Sequence, residues 1–339
     1  MSTTRVAVIY GGRSSEHAVS CMSAANVLAN LDPDRYTAVP IAITKRGQWT
    51  TGTTTLEDLR PGADGSLPEV EAGERVTTLP PVDVVLPLLH GVNGEDGTVQ
   101  GMLELANVPY VGCGVFASAA AMDKEYSKKL LAAEGFAVVP YAVLGPTVDT
   151  LTPGDQDRLG LPVFVKPARG GSSIGITRVE DWDNLPEAII YARTIDPKVI
   201  VETAATGREI EVGVLEYPDG ILATSLPAEI RAPSDGGWYD FDSKYFRHDE
   251  LRQVPAHLDL DTVRLVREFA AGAFVALGCR GLARVDFFVS EHGDPVVNEI
   301  NAMPGLSAAS MYPQMWAATG LEFPKLLDIL IHRELGQPY

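Results

Sequence analysis

The 339-residue sequence has few cysteines, few positive charges and no long apolar run. Its three cysteines, Cys21, Cys113 and Cys279, are far apart and outside any CxxC pair, which argues against a disulfide scaffold or a zinc site. No apolar run approaches the ~20 residues of a membrane span, and the opening MSTTRVAVIYGG lacks the profile of a signal peptide. We therefore expect a protein of the reducing cytoplasm that binds no membrane.

The formal net charge is −18, which argues against a nucleic-acid partner because a phosphate backbone is bound by a basic surface. A small anionic ligand is still compatible with this charge, since a few local lysines and a metal ion can override the global field. Hydrophobic residues make up 45% of the chain, and glycine and proline are spread along it. This composition is typical of a globular protein, and the length suffices for two or three packed units.

The first third of the sequence alternates between strand and helix patterns. Such alternation predicts a parallel sheet whose functional loops lie at the carboxyl ends of its strands. Gly11-Gly12 and His90-Gly91 occupy two such ends. Strands are predicted at residues 5–10, 37–44, 82–89 and 109–111, and helices at 18–30 and 98–106.

From about Cys113 the pattern changes. MDKEYSKKLLAAEG is typical of an amphipathic helix that stops at a glycine, and the polar-aromatic segment RAPSDGGWYDFDSKYFRHDEL, which fits neither strand nor helix, is typical of a lid or binding loop. Further strands are predicted near residues 141, 163 and 199 and in four patterns after 207, together with a long helix at 260–277. The predicted domains are an N-terminal domain at 1–112, a central one at 113–205 and a C-terminal one at 206–339 with a lid at 232–250.

The segment RVDFFVSEHGDPVVNEIN, residues 284–301, predicts a β-hairpin. A symmetric loop centred on 292–293 places Asp286 opposite Glu299, where like charges ~4.5–5.5 Å apart at Cβ are destabilising. Asn301 shares their face because it lies two residues along the strand from Glu299. Three oxygen-bearing side chains on a strand face flanked by Phe and Val require a cation, and hard oxygen ligands suit Mg²⁺ or Mn²⁺.

The alternative interpretation is a solvated hairpin with acidic outer positions, and a register slip of one residue would also break the pair. Arg284 on the same face and the AMPGLS turn that follows favour the metal site.

The stretch VKPARGGSSIG places Lys166 on a strand before its glycines, whereas the P-loop pattern places the lysine after them. Together with the predicted metal face, a strand lysine followed by a glycine-serine flap fits an arrangement in which ATP lies between two sheets. Lysines would then contact its phosphates from one side and magnesium from the other.

Eight blocks carry a family resemblance: GGRSSEHAVS, HGVNGEDGTVQG, MDK, VKPARGGSSIG, GREIEV, YDFDSKYF, GLARVDFFV and NEINAMPG. In this order, and over essentially the whole chain, the sequence resembles the D-alanine–D-alanine ligases. The resemblance implies an α/β, three-domain ATP-grasp fold, with an N-terminal parallel α/β domain and the nucleotide held between two antiparallel sheets. It also implies ATP-dependent joining of two D-alanines through an acyl phosphate, and a homodimer.

The resemblance implies roles for individual residues in nucleotide binding. Lys124 and Lys166 would hold ATP phosphates, the strand from Glu202 to Ala205 would contact adenine, and Glu209 would contact ribose. Two Mg²⁺ or Mn²⁺ ions would bind Asp286, Glu299 and Asn301. Ser173 in the flap and Lys244 on the lid complete the predicted ATP-binding set, whereas Lys128 and Lys129 are interpreted as solvated lysines of the same helix as Lys124.

The catalytic and substrate-binding residues are implied in the same way. Glu16 would anchor the ammonium of the first substrate, in a hydrogen-bonded set with Ser172 and Tyr245. Arg284 and the Gly305 N–H would face the oxygen that becomes negative in the tetrahedral intermediate. Lys244 on the lid would reach the transferring phosphoryl group, and Ser310 would bind the carboxylate of the second substrate. His90 and Met311 would line the substrate site.

Three alternative functions compete with this interpretation. A Rossmann dehydrogenase needs GxGxxG followed by a ribose-binding acid, and GGRSSE does not supply that spacing. A non-catalytic nucleotide-binding protein on the same fold would be expected to lack the metal acids or Arg284, which this sequence has. A ligase that makes D-alanyl-D-lactate is the nearest alternative; such ligases tend to lack the tyrosine after the lid lysine, so Lys244-Tyr245 favours D-alanine.

Overall fold

The computed structural model of the chain describes residues 3–51, 55–62, 64–231 and 251–337. The predicted lid at 232–250, with Lys244 and Tyr245, lies outside the described residues.

The first sheet has its two longest strands side by side in parallel at its centre. Strand β1 is buried on both faces, with Val6, Val8 and Ile9 all inaccessible, as expected for a strand between two layers. The strand order is β4-β3-β2-β1-β5, in which β2, β1 and β5 are parallel and β3 and β4 are antiparallel additions at one edge. The strands are β1 Thr4–Gly11, β2 Tyr36–Ile43, β3 Trp49–Thr51, β4 Glu74–Arg75 and β5 Val84–Pro87.

The predicted parallel α/β arrangement is thus confirmed for three of the four strands that were expected to form it. Helices α1 His17–Asn30 and α2 Thr98–Leu105 agree with the predicted helices. The strand predicted at 109–111 is reduced to a single bridge between Val85 and Tyr110. At the carboxyl end of β1, Gly11 has φ +88°, and a Cβ there would lie 2.3 Å from the Ile43 carbonyl oxygen, so the turn requires glycine.

The second sheet is antiparallel, with the order β6-β9-β7-β8. Helix α4 precedes the first strand of this sheet and is capped by Asp123, whose side chain accepts from the Glu125 and Tyr126 amides. Lys198, one residue before β9, bonds Asp123 at 2.6 Å and Glu125 at 2.8 Å, and so ties the start of α4 to the sheet. The elements are α3 Val115–Met122, α4 Lys124–Ala133, β6 Tyr141–Leu144, α5 Pro153–Leu159, β7 Val163–Pro167, β8 Thr177–Val179, α6 Leu185–Arg193 and β9 Val199–Thr203.

The third sheet is also antiparallel, with the order β13-β12-β10-β14-β15 and β11 paired to β10. Helix α7 covers one face of it, where Val266, Ala270 and Phe274 pack in one buried cluster with Ile210 and Val285. The elements are β10 Arg208–Glu216, β11 Leu222–Thr224, β12 Ala228–Ile230, β13 Arg252–Gln253, α7 Leu260–Ala276, β14 Leu282–Val289, β15 Pro295–Asn301, α8 Met311–Ala318 and α9 Phe323–Leu335.

The C-terminal helix α9 completes the core of the first sheet. Leu326 and Leu330 belong to the same buried cluster as Val6 and Val84. On the same helix, Asp328 accepts a 2.8 Å hydrogen bond from the Tyr36 hydroxyl. The end of the chain is therefore anchored against its beginning. None of the helices in the described ranges is long and apolar enough to cross a membrane.

Candidate active site

Two adjoining cavities lie between the sheets. The larger, about 470 Å³, has β7 and β9 on one side and β10, β14 and β15 on the other. The smaller, about 130 Å³, opens toward the carboxyl ends of the first sheet. Five residues line both cavities and mark where they meet: Lys124, Gly170, Gly171, Ser172 and Glu299. A ligand long enough to span them would have one end in each.

A buried cluster of two lysines and one glutamate lies in the wall of the larger cavity, which Lys166 and Glu202 line. Lys166 Nζ donates to Glu202 Oε2 at 2.6 Å, and Lys128 Nζ lies 3.1 Å from Glu202 Oε1. Burial opposes ionisation of Glu202, but the two lysines outweigh it and lower its pKa to about 2. Glu202 is thus a fixed negative charge at neutral pH.

The interpretation of Lys128 as a solvated lysine was wrong. Its side chain is 1% exposed, whereas that of Lys129, the next residue of α4, is 54% exposed. Neighbouring residues of a helix point in different directions. Lys128 therefore faces Glu202, whereas Lys129 faces Glu125 at the surface.

The glycine-serine flap links the larger cavity to the first sheet. Lys124 Nζ donates to the Gly170 carbonyl at 2.8 Å, and Ser172 Oγ donates to Glu16 Oε1 at 2.5 Å. Ser172 and Ser173 both have positive φ, 50° and 60°, a conformation that non-glycine residues rarely adopt. The predicted hydrogen bond between Glu16 and Ser172 is present; its third predicted member, Tyr245, lies outside the described residues.

Three carboxylates lie in one row across the third sheet. The strand registers place Glu211 opposite Asp286, and Asp286 opposite Glu299. The predicted pairing of Asp286 with Glu299 is confirmed. Asp286 is 3% exposed, so the alternative of a solvated hairpin is wrong.

The hairpin reaches this register by a different route from the one predicted. Its loop is centred on His292, because Val289 pairs with Pro295. A β-bulge then makes Asn298 an extra residue in β15, which shifts the register by one before Asp286 meets Glu299. Without the bulge, Glu299 would not face Asp286.

A cation already neutralises part of this acidic row. Arg284 donates from Nε and from Nη2 to the two oxygens of Asp286, both at 2.7 Å, and its Nε lies 3.4 Å from Glu211 Oε2. Asn301 Nδ2 donates to Asp286 at 3.0 Å. At the other end of the row, Lys124 Nζ lies 3.5 Å from Glu299.

The donor set fits a hard divalent cation that arrives with a ligand. Within the described part of the chain, no three His, Cys, Asp or Glu side chains converge on one point as a ready-made metal cage. Glu299 and Asn301 line the smaller cavity, and Asp286 lies beside them at the register position opposite Glu299. Mg²⁺ is commonly bound by one or two carboxylates together with substrate phosphates, and these residues supply that number of oxygen ligands.

The structure brings the remaining predicted residues to the two cavities as expected. The smaller cavity is lined by Glu16, His90, Arg284, Gly305, Ser310 and Met311. The larger cavity is lined by Lys124, Lys166, Ser173, Glu202, Ala205 and Glu209. Their individual roles in binding and catalysis remain predictions.

Ser310 and Gly305 are packed tightly together. The Ser310 hydroxyl accepts from the Ser307 amide at 3.1 Å and lies 2.8 Å from the Ser307 hydroxyl. A Cβ on Gly305 would lie 2.6 Å from Ser310 Oγ, so glycine is what lets the main chain approach this hydroxyl.

Three residues of the site were missed in the sequence. Glu95 lies in the quoted block HGVNGEDG, and its carboxylate accepts from the Gly91 amide at 2.7 Å beside the smaller cavity. Glu211 lies in GREIEV, where a carboxylate amid apolar strand residues signals a buried partner. Lys128 gave no sequence signal, because it stands among other lysines of its helix.

Glu95 is expected to make the stability of the protein depend on pH. Burial and the neighbouring Glu16 raise its pKa to about 8 from an ordinary value of 4.5. Between these two values the folded state binds more protons than the unfolded state, so stability falls as pH rises, by at most ~1.4 kcal/mol per pH unit. We expect Glu95→Gln to flatten this slope, measured as the melting temperature at pH 5.5, 6.5 and 7.5.

The control for this prediction is Glu74→Gln, because Glu74 is exposed on the short edge strand β4. It should reproduce the wild-type slope. A Glu95→Gln protein with the same pH dependence as wild type would show that Glu95 is ionised in the folded state.

Comparisons with known proteins agree with this geometry. The family profile described as the N-terminus of D-ala D-ala ligase matches residues 5–113, and the profile for its C-terminus matches residues 130–332. The chain is 54% identical to the D-alanine–D-alanine ligase of Rhodococcus jostii (strain RHA1), over 98% of this chain and 97% of the relative. It is 53% identical to that of Mycolicibacterium smegmatis (strain ATCC 700084 / mc(2)155), over 98% and 96%.

Solved structures show the same fold. The D-alanine-D-alanine ligase of Coxiella burnetii matches with a TM-score of 0.83 and 33% identity, over 99% of this chain and 94% of that one. The VanG D-Ala:D-Ser ligase of Enterococcus faecalis matches with a TM-score of 0.83 and 34% identity, over 98% of this chain and 100% of that one. The D-alanine–D-alanine ligase of Bacillus anthracis complexed with ATP matches with a TM-score of 0.75 and 31% identity, over 98% of this chain and 97% of that one. The two profiles, the relatives and the ATP-grasp architecture agree: the chain belongs to the D-alanine–D-alanine ligase family.

Proposed function

We propose that the protein joins two molecules of D-alanine at the expense of ATP, giving ADP, phosphate and the dipeptide used for peptidoglycan precursors. The observation that carries this proposal is the junction of the two cavities at Lys124, Ser172 and Glu299. A nucleotide in the larger cavity would present its terminal phosphate to a small carboxylate in the smaller one. The names of relatives more than 50% identical over nearly the whole chain support the same reaction.

In the larger cavity, Lys124 and Lys166 would contact the ATP phosphates. The segment from Glu202 to Ala205, at the end of β9, would contact adenine, and Glu209 on β10 would contact ribose. The negative charge of Glu202 suits a hydrogen bond from the adenine amino group. Phosphoryl transfer depends mainly on positioning and on neutralisation of charge, and these residues supply both.

Asp286, Glu299 and Asn301 would hold two Mg²⁺ or Mn²⁺ ions. When bound, these ions would neutralise charge on the triphosphate and relieve repulsion between the facing acids. Arg284 would keep Asp286 oriented through its two hydrogen bonds.

In the smaller cavity, Glu16 would hold the ammonium of the first D-alanine. A carboxylate oxygen of that D-alanine would then attack the γ-phosphorus of ATP. The bond from that phosphorus to the bridging oxygen breaks, and ADP leaves. The amine of the second D-alanine then attacks the acyl phosphate carbonyl, and the amide forms as phosphate leaves and the amine loses a proton. Arg284 and the Gly305 N–H would face the oxygen that becomes negative in between.

The second substrate would place its carboxylate at Ser310, with His90 and Met311 lining the same cavity. Lys244 and Tyr245 are proposed to complete the site from the lid. D-alanine is the proposed second substrate because Lys244-Tyr245 is present, although one structural neighbour is named a D-Ala:D-Ser ligase.

Product formation from Mg-ATP and D-alanine tests this function, with D-serine, D-lactate and L-alanine supplied in turn as competitors over several pH values. We expect D-alanyl-D-alanine as the main product and stoichiometric phosphate release. A depsipeptide or a mixed D-alanyl-D-serine as the main product would contradict the assignment of the second substrate. Phosphate release with L-alanine alone would contradict the assignment of the first.

We also propose that the protein is a homodimer. Two neighbouring helices, α2 and α3, carry exposed apolar side chains: Leu105 is 92% exposed and Phe116 65% exposed. Contiguous exposed apolar surface is typical of an interface, and cyclic dimers are the commonest oligomers. Sedimentation velocity of the wild type and of Phe116→Asp would show whether a dimer forms through this face.

A further inference from the structure

Lys128 contacts both walls of the larger cavity. Its Nζ lies 3.1 Å from Glu202 Oε1 on β9 and donates to the Asn298 carbonyl on β15 at 3.1 Å. These partners belong to different sheets, the second and the third. With its side chain 1% exposed, this ammonium is removed from water and held by these contacts.

The contact with Asn298 falls at the one residue that sets the hairpin register. Asn298 is the extra residue of the β-bulge, and Glu299 follows it directly. A bulge disrupts the ladder of hydrogen bonds locally, and Lys128 supplies a donor to the bulge carbonyl from outside the sheet. Whatever holds this carbonyl also holds Glu299 opposite Asp286.

The contact with Glu202 matters most when a nucleotide is bound. Each Glu202 oxygen is held by a different lysine, Oε2 by Lys166 and Oε1 by Lys128. Phosphate oxygens of the nucleotide would accept hydrogen bonds from Lys166, which lines the cavity. Lys128 would then be the principal buried cation that compensates the Glu202 carboxylate, and an uncompensated buried charge is strongly destabilising.

We propose that Lys128 is a positioning residue for the nucleotide and metal site: it joins Glu202 to the Asn298 bulge, and so fixes the adenine-facing strand relative to the hairpin that carries Glu299. This inference rests on the proposed function, since it assumes that Mg-nucleotide occupies the cavity. It assigns Lys128 no contact with substrate.

The test compares Lys128→Met with Lys129→Met. The second variant is a matched control, because Lys129 is the next residue of the same helix and its described contacts, an ion pair with Glu125 and a position over the Tyr126 ring, stay within that helix. We expect the affinity for Mg-ADP, measured by calorimetry on folded protein, to fall ~10–100-fold in Lys128→Met, the usual effect of losing a residue that orients a metal ligand. The control should bind like wild type.

Steady-state kinetics provide a second readout. In Lys128→Met the KM for ATP and the Mg²⁺ concentration for half-maximal rate should both rise, while the KM for the first D-alanine stays unchanged. A purely structural lysine would lower the melting temperature and the active fraction but leave the affinity of folded protein for Mg-ADP intact. An Mg-ADP affinity equal to that of wild type would therefore overturn the proposal.

A second pair of variants keeps the test decisive where Lys128→Met does not fold. Lys128→Met combined with Glu202→Gln removes both buried charges at once and is compared with Glu202→Gln alone. The double variant should bind Mg-ADP more weakly than the single one, because the Asn298 carbonyl has lost its donor; equal affinities would refute the role at the bulge. If wild type itself failed to bind Mg-ADP, the proposed function would fail, whereas failure of the Lys128 comparison alone leaves that function standing.

Discussion

Glu299→Gln is expected to lose at least ~100-fold in turnover while the protein stays folded, because residues that merely support metal ligands already account for 10–100-fold. Glu299 faces Asp286 across the hairpin and lies 3.5 Å from Lys124. The amide keeps the shape of the side chain but removes the charge that a divalent cation needs. Loss of a like charge opposite Asp286 also means that the melting temperature of the ligand-free protein should stay the same or rise.

The matched control for this prediction is Glu291→Gln. Glu291 is an exposed glutamate in the loop of the same hairpin, so the same chemical change there should leave turnover unchanged. Part of the lost activity of Glu299→Gln should return at high Mg²⁺ or Mn²⁺, since a weakened site fills at a higher ion concentration. Turnover near the wild-type value at ordinary Mg²⁺ would mean that the hairpin is not the metal site.

The sequence was most informative where a local pattern and its structural consequence coincide. The apolar run of β1 and the alternation of the hairpin predicted strands that the structure contains. Asp286 and Glu299 were paired on the assumption of a symmetric hairpin loop, and the structure contains this pair. The assumed symmetric loop was wrong by one residue, and the bulge at Asn298 corrected it.

The short and the featureless elements could not be predicted. Strands β3, β4 and β8 have three, two and three residues, too few to show an alternation. Helix α3 has the sequence VFASAAAM, whose small apolar residues define no polar face and hence no helical period.

Tertiary partners decided the rest of the site. Lys128 and Lys129 are the same residue type at neighbouring positions, and only Glu202, distant in the sequence, makes one of them buried. Glu211 is similar: its place opposite Asp286 and beside Arg284 follows from the pairing of β10 with β14, which the sequence does not specify.

Arg284→Lys is expected to lower kcat by ~10²–10³-fold, the usual effect of removing one preorganised donor to a developing oxyanion. Arg284 binds both oxygens of Asp286 at 2.7 Å, and this paired geometry fixes the plane of its guanidinium. Lysine retains the positive charge but has neither the fork nor the fixed plane. The loss should therefore fall on kcat, and the KM for ATP should change little, because the residue acts after the nucleotide is bound.

Arg264→Lys provides the comparison, since it is the same chemical change at a side chain that is 71% exposed. Measured together, kcat, the two KM values and the melting temperature separate a catalytic role from a structural one. A fall in kcat with an unchanged melting temperature is expected, because lysine still neutralises Asp286 and Glu211. If kcat stayed within a few-fold of wild type, charge alone would suffice at this position, and the Gly305 N–H would have to stabilise the tetrahedral oxygen without a guanidinium beside it.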